Sequence, residues 1–346
     1  MGVLGVGHGK LLLFGEHAAV YGHPAVGTSL PLVTEVAAAT DVAGDVAEDG
    51  RTSARAKGVA LQTALPAALH EVANLAARRA EGVLVVRSSL PHGVGLGSSA
   101  ALCVALARAA GVSEVWANAH RLEHAFHGSP SGADTGLAAH TGGIAAFQWR
   151  PLAVGDDRPL PTLMPLAPAD LHLVFGAVPR AASTAANVRR IAEARAAGDA
   201  TVDAALEELG RVSAAAVDAF TPEASAAGGG GSLGRRLGEL ATDAHRVLTN
   251  VLGLGNDAQS RLLEAGREAG AAGGKLSGGG GGGAFVLFCD GEASAERVFE
   301  ALRQVASPTT TLLGQLAVST DDDGARGLPR ILREVGVATS SATWRA

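Results

Sequence analysis

Residues 91–102 read PHGVGLGSSAAL, and the fold is decided there. The β-rich run Val83-Leu84-Val85-Val86 stands before this stretch, and Ala100 to Ala110, a strong helix former, stands behind it. Glycines at alternate positions (Gly93, Gly95, Gly97) let the backbone curl without Cβ clashes and turn successive N–H groups into one concavity. The helix behind adds its positive N-terminal end, so a phosphate chain is a natural occupant. Ser98 and Ser99 place hydroxyls at that first turn, within reach of a Mg²⁺ ion bridging phosphates. The competing reading is a tight strand-to-helix turn with Ser98 as its N-cap. No Gly-Lys-Ser/Thr closes the loop and the G-x-G-x-x-G spacing is absent, which excludes a Walker A loop and a dinucleotide fingerprint.

Upstream, 10–14 (KLLLF) and 24–35 (PAVGTSLPLVTE) read as strands around the turn-rich GEHAAVYGH, with a loop or hairpin crossing at 41–57. Residues 58–80 carry helical periodicity. Downstream, a helix at 113–127 leads into GSPSGADTG and the strand-like GGIAAF. The proline-rich 151–168 lacks periodicity and marks a boundary, giving domains 1–166 and 167–346. Beyond it stand the strand LHLVFGAVP, alanine-rich helices to about residue 224, helices at 233–249 and 257–270, and GGKLSGGGGGGAFVLFCD. A helix-strand-helix pattern closes the chain. Strands and helices alternate without a strict βαβ rhythm, which predicts an α+β protein of two domains.

Composition narrows the function. The net charge of −6 argues against a nucleic-acid partner, and no run of 18 apolar residues spans a membrane. Cys103 and Cys289 stand too far apart in sequence for a disulfide framework or zinc knuckle, so the chain reads as reduced and cytoplasmic. The N-terminus, with Lys10 inside its apolar run, is a poor secretory signal.

Three further features bear on chemistry. Six consecutive glycines (278–283) directly before the apolar AFVLF predict a close approach to another backbone or a ligand. Gly5, Gly7 and Gly9 have no strand before them and are not counted as a phosphate loop. His120, His124 and His127 share one helix face, but without a carboxylate or cysteine ligand nearby they read as surface or partly buried residues rather than zinc ligands.

Taken together, GKLLLFGEHAAVYGHPAV (9–26), PHGVGLGSSAAL and GGKLSGGGGGGAFVLF (273–288) resemble, in order and spacing, the three motifs of the GHMP superfamily of small-molecule kinases. GEHAAVYGHPAV, HGSPSGAD, VPRAASTAANVRRI and LTNVLGLGNDAQSRL are most similar to its mevalonate kinase branch. His8, Ser129, Thr135, Ser277 and Ala284 depart from the usual residues, and none of these changes removes a charged group.

The resemblance implies a two-domain fold: an N-terminal ribosomal-protein-like α/β domain, a C-terminal ferredoxin-like α+β domain, and an active site in the cleft between them. It implies ATP as co-substrate, Mg²⁺, and mevalonate as acceptor, phosphorylated at its primary hydroxyl for isoprenoid synthesis. Asp134 would accept the hydroxyl proton, and Lys10 would lie against Asp134 and steady the nascent alkoxide. Ser99 and Glu123 would hold Mg²⁺, while Pro91, Gly93, Gly95, Leu96, Gly97, Ser98, Ser99 and Ala100 would cradle the nucleotide. Glu16, His17, Ser131, Thr184 and Gly279 would meet the acceptor. Family analogy allows a homodimer. Rival readings are a kinase for phosphomevalonate, homoserine or a sugar, and a ligand sensor without catalysis.

Overall fold

Strands β1 (Gly2–Phe14) and β2 (Ala25–Ala39) run antiparallel over nearly their whole length and form the spine of the first sheet. The computed structural model describes residues 2–39, 53–55, 66–80, 83–127, 130–141, 143–149, 160–166, 170–181, 183–221, 232–306, 312–320 and 327–336. β2 is long enough to pair twice. Its C-terminal half holds β4 (Val83–Ser88), with β3 (Ser53–Arg55) beyond, and its N-terminal half holds β5 (Ile144–Gln148), with β6 (Thr162–Pro165) beyond. Helices α1 (His70–Ala80), α2 (Ser98–Ala110) and α3 (Val115–His127) share one core with Val36 and Leu84 of this sheet. A short helix, α4 (Ala133–Ala139), contacts β1 and α2.

Gly5 and Gly7 explain how closely α2 approaches. A Cβ on Gly5 would lie 2.1 Å from the Ala105 carbonyl oxygen, and one on Gly7 1.9 Å from that of Ala101. The glycine triplet that looked unattached in sequence is thus part of β1, and bare backbone lets the helix settle onto the strand. This seats the helix behind the alternating glycines directly on the strand that carries Lys10.

The second sheet is fully antiparallel, in the order β11-β10-β7-β9-β8. Its strands are β7 (Leu171–Val178), β8 (Gly273–Leu276), β9 (Gly283–Cys289), β10 (Leu312–Thr320) and β11 (Gly327–Gly336). Helices α5 (Thr184–Ala196), α6 (Ala200–Asp218), α7 (Leu233–Arg246) and α8 (Asp257–Glu268) lie between β7 and β8, and α9 (Glu292–Val305) joins β9 to β10. Helices intervene before β8 and after β9, and the first and third strands lie side by side at the centre, as in a ferredoxin-like unit. α7 runs on through one π turn, Val247–Val251.

The two sheets share a core. One apolar cluster contains Leu11, Phe14, Leu30 and Leu96 together with Leu173, Phe175, Leu276 and Phe288. The Phe14 and Phe288 rings stand 5.7 Å apart. The ends of β1 and β9 therefore meet in packed side chains, which fixes one unit against the other.

Three expectations need correction. The stretch 151–168, read as aperiodic, contains the edge strand β6, four residues long and too short to show an alternation. The chain's closing pattern is helix, strand, strand, because 327–336 pairs with β10. Ser98 is the first helical residue of α2, not its cap; the cap is Gly97 at φ 80°. Most of the 41–57 crossing lies outside the described residues.

Candidate active site

Two helices begin at the site, and both begin without a side-chain cap. Helices α5, α6, α7 and α8 each start behind a Ser, Asp or Asn whose side chain accepts from the first turn. By contrast, α2 starts at Gly97 and α4 at Gly132, both left-handed glycines with no capping side chain. Their first-turn N–H groups carry the positive end of each helix. Gly93, Gly95 and Gly97 sit at φ 75°, 89° and 80°, so positive φ alternates along the loop, as a backbone nest for an anion requires. Pro91, Leu96 and Ala100 turn their side chains inward; what they offer a nucleotide is backbone.

Lys10 crosses beneath this loop. Its N–H donates to the Leu96 carbonyl at 2.9 Å, and a Cβ on Gly97 would come within 2.7 Å of its Cγ. The ammonium ends 3.0 Å from Asp134 Oδ1 in the first turn of α4. The Lys10 side chain is 4% exposed and that of Asp134 35%, so the carboxylate is the partner an incoming molecule meets first.

Glu123, on α3, is buried, and its Oε1 lies 3.4 Å from Ser99 Oγ, which donates to it. Burial, reinforced by the Asp134 carboxylate, pushes the Glu123 pKa up to about 8. Its Oε2 is buried without a hydrogen-bond partner. Once an arriving cation displaces its proton, this carboxyl oxygen and the serine hydroxyl beside it form a hard-oxygen donor pair that suits Mg²⁺. No cluster of three or more His, Cys, Asp or Glu able to hold a metal occurs among the described residues. Of the three helical histidines, His127 turns to Ser99, with Nε2 3.2 Å from Oγ, while the His120 and His124 rings meet edge-on at 5.1 Å.

The acceptor candidates divide. His17 is buried at φ 58°, a strained conformation for a non-glycine residue, and its Nε2 has no hydrogen-bond partner. Burial lowers its pKa to about 4, against a hydrogen bond to the Gly279 backbone, so the ring is neutral near pH 7. Thr184 stands beside Gly279, where a Cβ would approach its Cγ2 to 2.5 Å. These three residues form one cluster. Ser131 accepts from the Ala133 N–H at 3.3 Å and so stabilises the turn before Asp134. Glu16 is paired with Lys275 from β8 and closed from solvent, at 1% and 0% exposure.

The sequence reading missed Lys275 and Arg180. Arg180 lies between the two glycine loops: a Cβ on Gly95 would stand 2.4 Å from its Nη2, and one on Gly283 2.7 Å from its Nε. Its Nε is buried without a hydrogen-bond partner. Burial lowers the pKa of the guanidinium, and the Asp134 carboxylate opposes that shift. The only signal was an arginine two residues past the fully buried strand β7. The expected close approach of 278–283 is met: the Ala181 N–H donates to the Gly281 carbonyl at 2.8 Å, and the Gly281 N–H to that of Leu254 at 2.9 Å.

Residues 62–142 match the family model for the GHMP kinases N terminal domain, and 223–307 match GHMP kinases C terminal. The chain is 32% identical over 304 residues to the mevalonate kinase of Thermococcus sibiricus, covering 80% of this chain and 86% of that one. It is 29% identical over 337 residues to that of Aeropyrum pernix, covering 92% and 96%. Among solved structures, L. major mevalonate kinase in complex with R-mevalonate superposes at a TM-score of 0.68, with 22% identity over 91% of this chain and 95% of the other. A Streptococcus pneumoniae phosphomevalonate kinase reaches 0.63 at 14% identity over 97% and 100%. These two structures show the shared fold.

Proposed function

The chain belongs to the GHMP kinases and is an ATP-dependent phosphotransferase, and we propose that it phosphorylates the primary hydroxyl of mevalonate to give 5-phosphomevalonate. The observation that carries this reading is the Lys10–Asp134 pair at the mouth of the alternating-glycine loop. The units 1–166 and 167–346 each contribute to the site, Lys10, Ser99, Glu123 and Asp134 from the first and Arg180, Thr184 and Gly279 from the second.

Phosphoryl transfer needs in-line placement and charge neutralisation more than covalent help from the protein. The amides of residues 93–99 and the uncapped start of α2 hold the phosphate chain. Ser99 and Glu123 would hold Mg²⁺, which when bound would supply positive charge to neutralise the phosphate chain. Asp134 accepts the proton of the acceptor hydroxyl, and Lys10 holds Asp134 in place and balances the developing alkoxide. Arg180, wedged between the two glycine loops, faces the same space and adds positive charge beside the transferring group. His17, Thr184 and Gly279 shape the acceptor end, with Glu16 and Lys275 as the buried support beneath His17.

The test is ADP release from the purified protein with mevalonate, phosphomevalonate, homoserine and galactose. Turnover with mevalonate at least a hundredfold above the rest is expected. Preference for any other acceptor would reassign the substrate and leave the phosphotransferase reading standing.

A further inference from the structure

Asp134 follows a turn whose side-chain support from within is one long bond, the Ala133 N–H to Ser131 Oγ at 3.3 Å. Gly132 sits at φ 88°, and α4 behind it is seven residues long. Left to local preferences, this segment would hold its carboxylate loosely.

Two indole N–H groups hold it instead. Trp116, on α3, donates to the Gly132 carbonyl at 3.0 Å, and Trp149, just past β5, donates to the Ser131 carbonyl at 3.1 Å. The carbonyls are consecutive, and the donors come from different elements. Gly132 also accepts from Thr135 Oγ1 at 3.2 Å and from the Gly136 N–H at 2.9 Å. The rings are themselves braced, since Phe147 meets Trp116 edge-on at 6.2 Å and Trp149 at a tilt at 6.4 Å. α4 rests on this brace through Gly136, where a Cβ would come within 2.6 Å of Phe147 and 2.9 Å of Trp116. The whole sequence has three tryptophans, and two of them end here.

We infer that Trp116 and Trp149 are positioning residues for phosphoryl transfer, fixing Asp134 against Lys10 through the carbonyls of Gly132 and Ser131. The inference rests on the assignment of Asp134 to the acceptor hydroxyl. Apolar packing would be satisfied by any large ring; two N–H donors on adjacent carbonyls set both the rotation and the height of the turn. A displacement of about 1 Å at a reacting group is enough to cost a hundredfold in rate.

The experiment compares Trp116→Phe and Trp149→Phe, which keep an aromatic ring and remove the N–H, by steady-state kinetics with ATP and mevalonate beside thermal melting. Expected is a fall in kcat of about tenfold or more in each variant, with both KM values within about threefold of the parent. A kcat within twofold of the parent, whatever happens to the melting temperature, overturns the inference. So does a loss confined to KM. If either phenylalanine variant fails to fold, the sulfur isostere of tryptophan, 3-benzothienylalanine, at the same position keeps the ring shape without the N–H, and normal kcat in that folded protein also overturns it. Asp134→Asn in the same assay separates the two claims. An active Asp134→Asn enzyme removes the assignment of Asp134, whereas an inert one beside fully active tryptophan variants removes this inference alone.

Discussion

Lys10 Nζ and Asp134 Oδ1 stand 3.0 Å apart, although one residue is on the first strand and the other at the start of a short helix more than a hundred residues later. They meet because α2 presses onto β1 through Gly5 and Gly7 and α4 packs against both. Asp134→Ala leaves the glycine loop intact and removes the proposed proton acceptor. Turnover should fall by about a thousandfold or more, within the range for loss of a general base combined with lost positioning, while nucleotide affinity changes little. Rapid-quench kinetics and equilibrium nucleotide titration measure the two quantities separately.

Glu123 and Ser99 supply the oxygens proposed for Mg²⁺. Glu123→Gln keeps the size and removes the charge that would hold a divalent ion. The Mg²⁺ concentration for half-maximal rate should rise by about tenfold, since roughly 1.4 kcal/mol of lost ion binding gives that factor. A Mg²⁺ titration at saturating ATP reads it directly, and an unchanged midpoint would return Glu123 to a purely structural part.

How much of this was legible in the sequence follows from how local each signal is. The strand, glycine turn and helix at 83–110 were readable because all three signals lie within about thirty residues. The Lys10, Glu123, Asp134 set was named through motif resemblance, and the sequence itself held no distance between its members. Arg180 was overlooked because its meaning depends on Gly95 and Gly283, which flank it only after the second sheet has closed on the first. The Glu16–Lys275 pair joins residues 259 positions apart, and nothing near either residue announces the other. The triplet Gly5, Gly7, Gly9 was set aside for want of a strand because β1 is itself glycine-rich, and glycine weakens every strand signal.

Gly97 and Gly93 allow backbone strain to be separated from contact. Both have positive φ, 80° and 75°, so alanine at either costs about 1–2 kcal/mol of backbone strain. Only at Gly97 does the new Cβ strike something, 2.7 Å from Lys10 Cγ, whereas at Gly93 it points into open space. Gly97→Ala should therefore lose at least about tenfold more kcat than Gly93→Ala, because a misplaced Lys10 adds to the shared strain. Parallel kinetics on the two variants test this, and equal losses would mean that the loop conformation alone matters.

Glu16 and Lys275 tie the end of β1 to β8, beside the bond from Ser277 Oγ to the Leu12 carbonyl at 2.8 Å. Both charges are closed from water, so removing one strands the other. Lys275→Met or Glu16→Gln alone should destabilise the fold by about 3–5 kcal/mol, whereas the double replacement should recover a large part of that loss. Denaturant melts of the three variants complete the cycle, and additive losses would mean that the two groups do not depend on each other.

His17 gives the protein an acid-side weakness of known sign. Burial lowers its folded-state pKa to about 4 from an ordinary 6.5, so below roughly pH 6.5 the unfolded chain binds the proton and the native chain does not. Stability is then lost as pH falls, by about 1.5 kcal/mol between roughly pH 6.5 and 5, before most carboxylates titrate. His245 adds to the slope in the same direction, since burial, with the Lys275 and Arg267 charges, lowers its pKa to about 4 as well. His17→Asn keeps a polar side chain at the strained turn and removes the titration. Its stability should fall less steeply across that interval than that of the parent, as measured by urea melts at matched ionic strength. Parallel slopes for the two proteins would mean that the His17 ring is hydrated in solution and protonates as freely folded as unfolded.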